Sequence, residues 1–171
     1  MLTLLVGGAR SGKSTLAVQM AERQQRPVTF IATAEPFDDD MADRIDRHRL
    51  ERPAHWATVE CPVDLAGAVG DAPADHFVIV DCLTVWLGNL FVHERSGDAG
   101  GVVDALRART APTVVVTNEV GMGIHPDTDL GRRYRDELGR LNQAVAAVAD
   151  TTLLLVAGRA VRLDDPWELL G

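Results

Sequence analysis

One spacing decides the chemistry open to this chain: Gly7-x-x-x-x-Gly12-Lys13-Ser14, within the run GGARSGKS. Glycines let the backbone turn tightly, so that successive N–H groups point inward at phosphate oxygens, and a helix that follows adds its positive N-terminal end. In such a cradle Lys13 reaches the β- and γ-phosphates of a nucleoside triphosphate, and the Ser14 hydroxyl holds magnesium. The pattern carries meaning only between a strand and a helix. Here the apolar run Leu2–Val6 precedes it and STLAVQMAERQ follows, so the context is met and phosphate binding is favoured over a Gly-rich turn with a solvated lysine.

A second apolar strand, in FVIVDC, ends in Asp81. A P-loop enzyme places there the carboxylate that orients magnesium or its water, although Asp also favours strand-end turns and helix N-caps. No N-K-x-D motif for reading guanine appears, nor any obvious pair of switch loops, which points to a small-molecule transferase rather than a signalling GTPase.

Three further segments fall near the carboxyl ends of expected strands, where ligands bind in sheets of this kind. FIATAEPFDDDMADRIDRHRLERPAHW packs Asp38, Asp39, Asp40, Arg44, Arg47, His48, Arg49 and Arg52 into a charged helix. Arg44, His48 and Arg52 share a face at four-residue spacing, which presents either an imidazole beside phosphate-holding cations or a solvated amphipathic surface. A neutral imidazole is a competent nucleophile at neutral pH, and its bond to phosphorus is labile enough to pass the group on. VVVTNEVGMGIHP carries Asn118, Glu119, Gly121 and Gly123 after a strong strand, which suits a substrate-contacting loop or an ordinary strand-to-helix turn. Glu60, in VECP, either accepts bonds from ribose hydroxyls or faces water.

The elements that must position these groups alternate. Strands are expected at Leu2–Val6, Val28–Thr33, His55–Cys61, Phe77–Asp81, Thr113–Thr117 and Thr152–Ala157, and several are apolar throughout, as strands covered on both faces are. Helices are expected at Lys13–Gln25, Asp39–Glu51, Leu83–Val92, Val102–Arg109 and Asp129–Ala149. The expected fold is α/β, a single P-loop NTPase-like domain over residues 1–171, with a mainly parallel, doubly wound sheet and helices on both faces. SGDAGG at residues 96–101 reads as a surface loop, and the tail DDPWELLG as a segment that packs or frays.

Composition agrees. At 171 residues and 46% hydrophobic, the chain supports one substantial core. A net charge of −8 argues against a sequence-independent grip on nucleic acid, which needs clustered Lys and Arg. Cys61 and Cys82 form no C-x-x-C pair and sit in or beside apolar stretches, as buried free thiols of a reducing compartment do. There is no charged-then-apolar leader and no apolar run of about 18 residues. The expectation is a soluble, cytoplasmic protein without a membrane span.

Beyond these features, the chain resembles the bifunctional adenosylcobinamide kinase and adenosylcobinamide-phosphate guanylyltransferase family of cobalamin biosynthesis. The resemblance rests on GGARSGKS, IAT at 31–33, DDDMADRIDRHRLERPAHW at 38–56, VEC at 59–61, VDCLTVWLGNL at 80–90, TNEVGMGI at 117–124 and GRLNQAVAAVAD at 139–150, and so spans nearly the whole chain. It implies phosphorylation of the aminopropanol hydroxyl of adenosylcobinamide by GTP or ATP. Transfer of GMP from GTP through a guanylylated histidine then gives adenosylcobinamide-GDP. The position matching the nucleophile is His48, with His55 the next candidate. Lys13 is the second catalytic residue; Gly7, Gly8, Ala9, Arg10, Ser11, Gly12, Lys13, Ser14, Ala32, Thr33, Ala34, Arg49, Leu50, Glu51, Arg52, Glu60 and Asp81 line the nucleotide; Ser14 and Asp81 hold Mg2+. A corrinoid acceptor and a homotrimeric assembly are implied as well. The alternatives are a monofunctional P-loop small-molecule kinase, in which only the γ-phosphate moves, and a nucleotide-binding module without turnover.

Overall fold

The computed structural model describes residues 1–171 apart from Asp38, Glu51 and residues 95–97, and apart from the side chains of Asp39, Asp40, Arg44, Asp46, Arg47 and His48. Seven strands form one sheet: β1 (Leu2–Gly7), β2 (Val28–Ala32), β3 (Ala57–Glu60), β4 (Phe77–Asp81), β5 (Thr113–Asn118), β6 (Thr151–Val156) and β7 (Arg159–Leu163). The helices are α1 (Lys13–Glu22), α2 (Asp39–Leu50), α3 (Leu65–Asp71), α4 (Leu83–Val92), α5 (Ala99–Ala108), α6 (Asp129–Ala146) and α7 (Pro166–Leu170). The spatial order is β3-β2-β4-β5-β1-β6-β7. Every pairing is parallel except β6 with β7.

The unbroken apolar strands earn their central places by being covered twice. All six residues of β1 and all five of β2 are buried, and their side chains alternate between two cores as the pleat requires. Leu2, Leu4 and Val6 join Leu65, Trp86, Val102 and Leu138 from α3, α4, α5 and α6. Leu5, Phe30 and Ile79 meet Ala17 and Ala21 of α1 on the other face. Strand β3, exposed along its length, forms one edge.

The tail forms the short, exposed α7, and three further elements depart from the sequence expectation. Helix α3 contains two glycines, which weaken its intrinsic propensity, and is started by Asp64, whose carboxylate accepts from Gly67 N–H at 3.0 Å. The 96–101 stretch is not a loop throughout. Asp98 caps α5 by accepting from Gly101 N–H at 2.7 Å, and this draws Ala99–Gly101 into the first helical turn. Strand β7 follows a two-residue turn in which Ala157 and Gly158 both have positive φ, the combination that matches the twist of a hairpin. Among the described residues, no helix is long and apolar enough to cross a membrane.

Candidate active site

The phosphate loop leaves the carboxyl end of β1, an interior strand, and is braced from three sides. A side chain at Gly7 would collide with the backbone carbonyl of Leu155 on β6, so close strand packing demands glycine there. Gly12, at φ 100°, starts α1 from the left-handed region that glycine tolerates. The β6–β7 turn supports the loop, with Gly158 N–H donating to Ser11 O at 3.1 Å. Lys13 is buried, and its ammonium donates to Gly7 O at 2.9 Å, Gly8 O at 2.7 Å and Ser11 Oγ at 3.3 Å. Gly8, Ala9 and Arg10 are exposed at the rim.

Asp81 ends β4, and its position is fixed through Thr33. The fully buried Thr33 hydroxyl accepts from Cys82 N–H and donates to Cys82 O, both at 2.8 Å, while Thr33 N–H donates to Asp81 O at 3.1 Å. Asn89 of α4, also buried, donates to Thr33 O at 2.7 Å and to Pro62 O at 2.9 Å, and Trp86 Nε1 donates to Val63 O at 2.7 Å. Helix α4 thus clasps the ends of β2, β3 and β4 together. Burial, and then the neighbouring Asp81 charge, pushes the Cys82 thiol up to about 12, and burial chiefly raises Cys61 as well. Both are free thiols held in the unreactive, protonated form.

A cavity of about 70 Å³ lies at this end of the sheet, lined by Ser14, Ala32, Ala34, Met41, Ile45, Arg52, Glu60, Asp81, Cys82 and Val85. It brings together residues from the phosphate loop, β2, α2, β3 and β4, and six of them are among those expected at the nucleotide. The Arg52 guanidinium lies over the Phe30 ring, 3.7 Å from its centroid, a stacking that orients its planar fork. Arg49 pairs with Glu60 at 2.9 Å, and two hollows beside them, of about 140 and 250 Å³, continue the cavity along α2 and β3. Leu50 is 85% exposed and takes no part in the lining; Glu51 is outside the described residues.

Ser14 and Asp81 both line the cavity, and a hydroxyl and a carboxylate are hard oxygen donors. That suits magnesium, which takes few protein ligands and completes its shell with phosphate oxygens and water. No group of three or more His, Cys, Asp or Glu side chains arranged for a metal occurs among the described residues. His48 lies on α2, three residues after Ile45 and seven after Met41; its side chain is outside the described residues. His55 is exposed, in the turn that leads into the amino end of β3, whereas Glu60 closes the strand's carboxyl end.

Sequence reasoning missed two supports of the site. Gly158 could have been suspected from its place after an apolar strand, as a turn glycine, but nothing in its spacing reveals contact with Ser11. Asn89 carried a visible sign: a lone amide in the apolar run VWLGNLF, since a buried polar group must find partners.

A strand, a phosphate loop and a helix at the centre of a parallel sheet, with an acid at the end of a nearby strand, define a P-loop nucleotide-binding protein. Solved structures share the fold; the RadB recombinase superposes with a TM-score of 0.52 at 19% identity, covering 90% of this chain and 73% of that one. The chain belongs to the cobinamide kinase / cobinamide phosphate guanyltransferase family, whose profile matches residues 3–163. It is 41% identical over 163 residues to the bifunctional adenosylcobalamin biosynthesis protein CobP of Pseudomonas aeruginosa, covering 92% of this chain and 94% of that protein. To the bifunctional adenosylcobalamin biosynthesis protein CobU of Salmonella typhimurium it is 38% identical over 181 residues, covering 95% and 99%.

Proposed function

We propose that this chain is a bifunctional enzyme that phosphorylates adenosylcobinamide and then attaches GMP to the phosphate. The observation that carries the reading is the shared cavity, where Ser14 and Asp81 of a P-loop site meet Met41 and Ile45 of α2. Positions 41, 45 and 48 share the spacing of one helix face, which supports His48 as the nucleophile. His55, at the opposite end of β3 from Glu60, is the weaker candidate.

In the kinase step the aminopropanol oxygen attacks the γ-phosphorus of GTP or ATP, the bond from γ-phosphorus to the β-bridging oxygen breaks, and the nucleoside diphosphate leaves. In the second step the His48 imidazole attacks the α-phosphorus of GTP, a P–N bond forms and pyrophosphate departs. A phosphate oxygen of the acceptor then displaces the imidazole, giving adenosylcobinamide-GDP and free His48. Ser14 and Asp81 would hold magnesium, which would supply neutralisation of the triphosphate charge. Lys13 is taken to exchange its loop carbonyls for phosphate oxygens, while Gly7 to Gly12, Ala32 to Ala34, Arg49, Glu51, Arg52 and Glu60 surround the nucleotide. Arg52, already oriented on Phe30, is positioned to stabilise charge on phosphoryl oxygens.

The rest of the reading is a single domain acting in the cytoplasm as a homotrimer. Self-association is supported by the unpaired apolar surface of the β6–β7 hairpin and α7, where Val156, Val161, Trp167, Leu169 and Leu170 are each at least 63% exposed.

The decisive experiment is intact mass after incubation with GTP and magnesium. Wild type is expected to gain about 345 Da, one GMP, in an acid-labile bond, and His48→Ala to gain nothing. No gain in wild type would leave a monofunctional kinase, and a gain that persists in His48→Ala would move the nucleophile elsewhere.

A further inference from the structure

The loop between β5 and α6 takes no part in the cavity, yet it begins at the phosphate loop. Glu119 N–H donates to Gly7 O at 3.2 Å, the same carbonyl that receives Lys13 Nζ. Its start is fixed by Asn118 N–H donating to Thr84 Oγ1 at 2.7 Å, and its far end by Arg132, which donates to the carbonyls of Pro126 at 2.9 Å and Asp127 at 3.0 Å. Val120 is packed against the core. Between these anchors Met122 is 81% exposed and Ile124 97%. Single exposed apolar residues are ordinary. Two of them on a loop pinned at both ends beside a phosphate site leave apolar surface in water that a bound ligand would cover.

Resting on the functional reading above, we propose that this loop is the acceptor platform, with Met122 and Ile124 seating an apolar face of the corrin macrocycle. An acceptor must lie within one side-arm's reach of the transferred phosphorus, and the loop is one hydrogen bond from the phosphate cradle. Gly123 leaves open space on the loop, with nothing within 4 Å of where a Cβ would stand, so a broad flat ring can approach the backbone. The unbranched, polarisable side chain of Met122 conforms to an irregular ring surface. Charge agrees, since a cobalt(III) corrinoid of this type is cationic and the chain carries a net charge of −8.

The test is Met122→Ser/Ile124→Ser, compared with wild type in two assays and one control. Equilibrium dialysis against adenosylcobinamide should show retention weakened at least tenfold. Intact mass after GTP and magnesium should show GMP uptake equal to wild type, because that half-reaction needs no acceptor. Light scattering should give the same particle mass for both proteins. Unchanged corrinoid retention overturns the proposal, as does a variant that falls apart into smaller particles while still holding the corrinoid, which would make the loop a subunit contact. Wild type that takes GMP but does not retain the corrinoid overturns the proposal and leaves guanylylation standing. Wild type that retains the corrinoid through this loop without taking GMP overturns guanylylation and leaves the platform.

Discussion

Thr33→Val removes one hydroxyl while keeping the shape of the side chain, and it tests whether the end of β4 is held by that hydroxyl. The group makes two bonds of 2.8 Å to the backbone of Cys82. Their losses are unequal, because Cys82 O also accepts from Trp86 N–H at 3.1 Å and stays paired, whereas Cys82 N–H is orphaned in a partly buried place. An orphaned donor of this kind costs about 1–2 kcal/mol and the other lost bond about 1 kcal/mol, so about 2–3 kcal/mol of stability should disappear. Thr33→Ser keeps both bonds and deletes one buried methyl, for about 1 kcal/mol. With a urea m-value of about 2 kcal/mol/M, the Val variant's midpoint should fall by about 1 M and the Ser variant's by about half that. Because Asp81 is the residue next to the orphaned N–H, the magnesium concentration giving half-maximal GMP uptake should also rise in the Val variant and be restored in the Ser variant. Equal unfolding midpoints for Val and wild type, or a Ser variant as impaired as Val, would refute the clamp.

Two other perturbations have distinct signatures. Gly7→Ala should cost several kcal/mol or prevent folding, because the added methyl meets the Leu155 carbonyl within the β1–β6 pairing; Gly8→Ala, where nothing stands within 4 Å, should unfold at the wild-type midpoint, and similar losses for both would count against the close-approach explanation. On the alkaline side, Cys82 and Tyr134 are both pushed up to about 12, chiefly by burial, while unfolded they ionise near about 8.5 and about 10. The folded chain then keeps protons that the unfolded chain releases, so their contribution is full below about pH 8.5 and is lost as pH climbs toward 12. Cys82→Ser, whose hydroxyl can still cap Val85 N–H at the start of α4, should flatten the decline between pH 8.5 and 10 in urea titrations, and an unchanged slope would assign the alkaline loss to other groups.

The parts of the site legible in the sequence are those whose chemistry is local. Gly7 through Ser14 declare themselves because a phosphate cradle is built from consecutive backbone N–H groups and needs its residues at fixed offsets. Asp81 is readable for a similar reason, as the first polar residue after a run of buried strand positions. The alternation of apolar strands and helices gave the parallel, doubly wound sheet, but not β7 or α3, whose formation turns on Gly158 and on a cap by Asp64 rather than on periodicity. Likewise 96–101 looked like a loop because its glycines hid the cap that Asp98 supplies.

What stayed illegible is the joinery between distant segments. Thr33 was placed at the nucleotide by resemblance, yet its hydroxyl is spent on Cys82, 49 residues away, and Asn89 reaches back 56 residues to Thr33 O. No window of sequence contains both partners. Taken together, these contacts give VDCLTVWLGNL a physical reason. Its acid serves the cavity, its cysteine starts α4, and its Trp86 and Asn89 tie α4 across the strands that deliver Ala32, Glu60 and Asp81. Such a clasp holds the ends of β2, β3 and β4 in fixed relation, so that Ala32, Glu60 and Asp81 face one cavity. Under the proposed function both steps draw on that one clasp, because each needs the triphosphate held beside Asp81 and the phosphate loop.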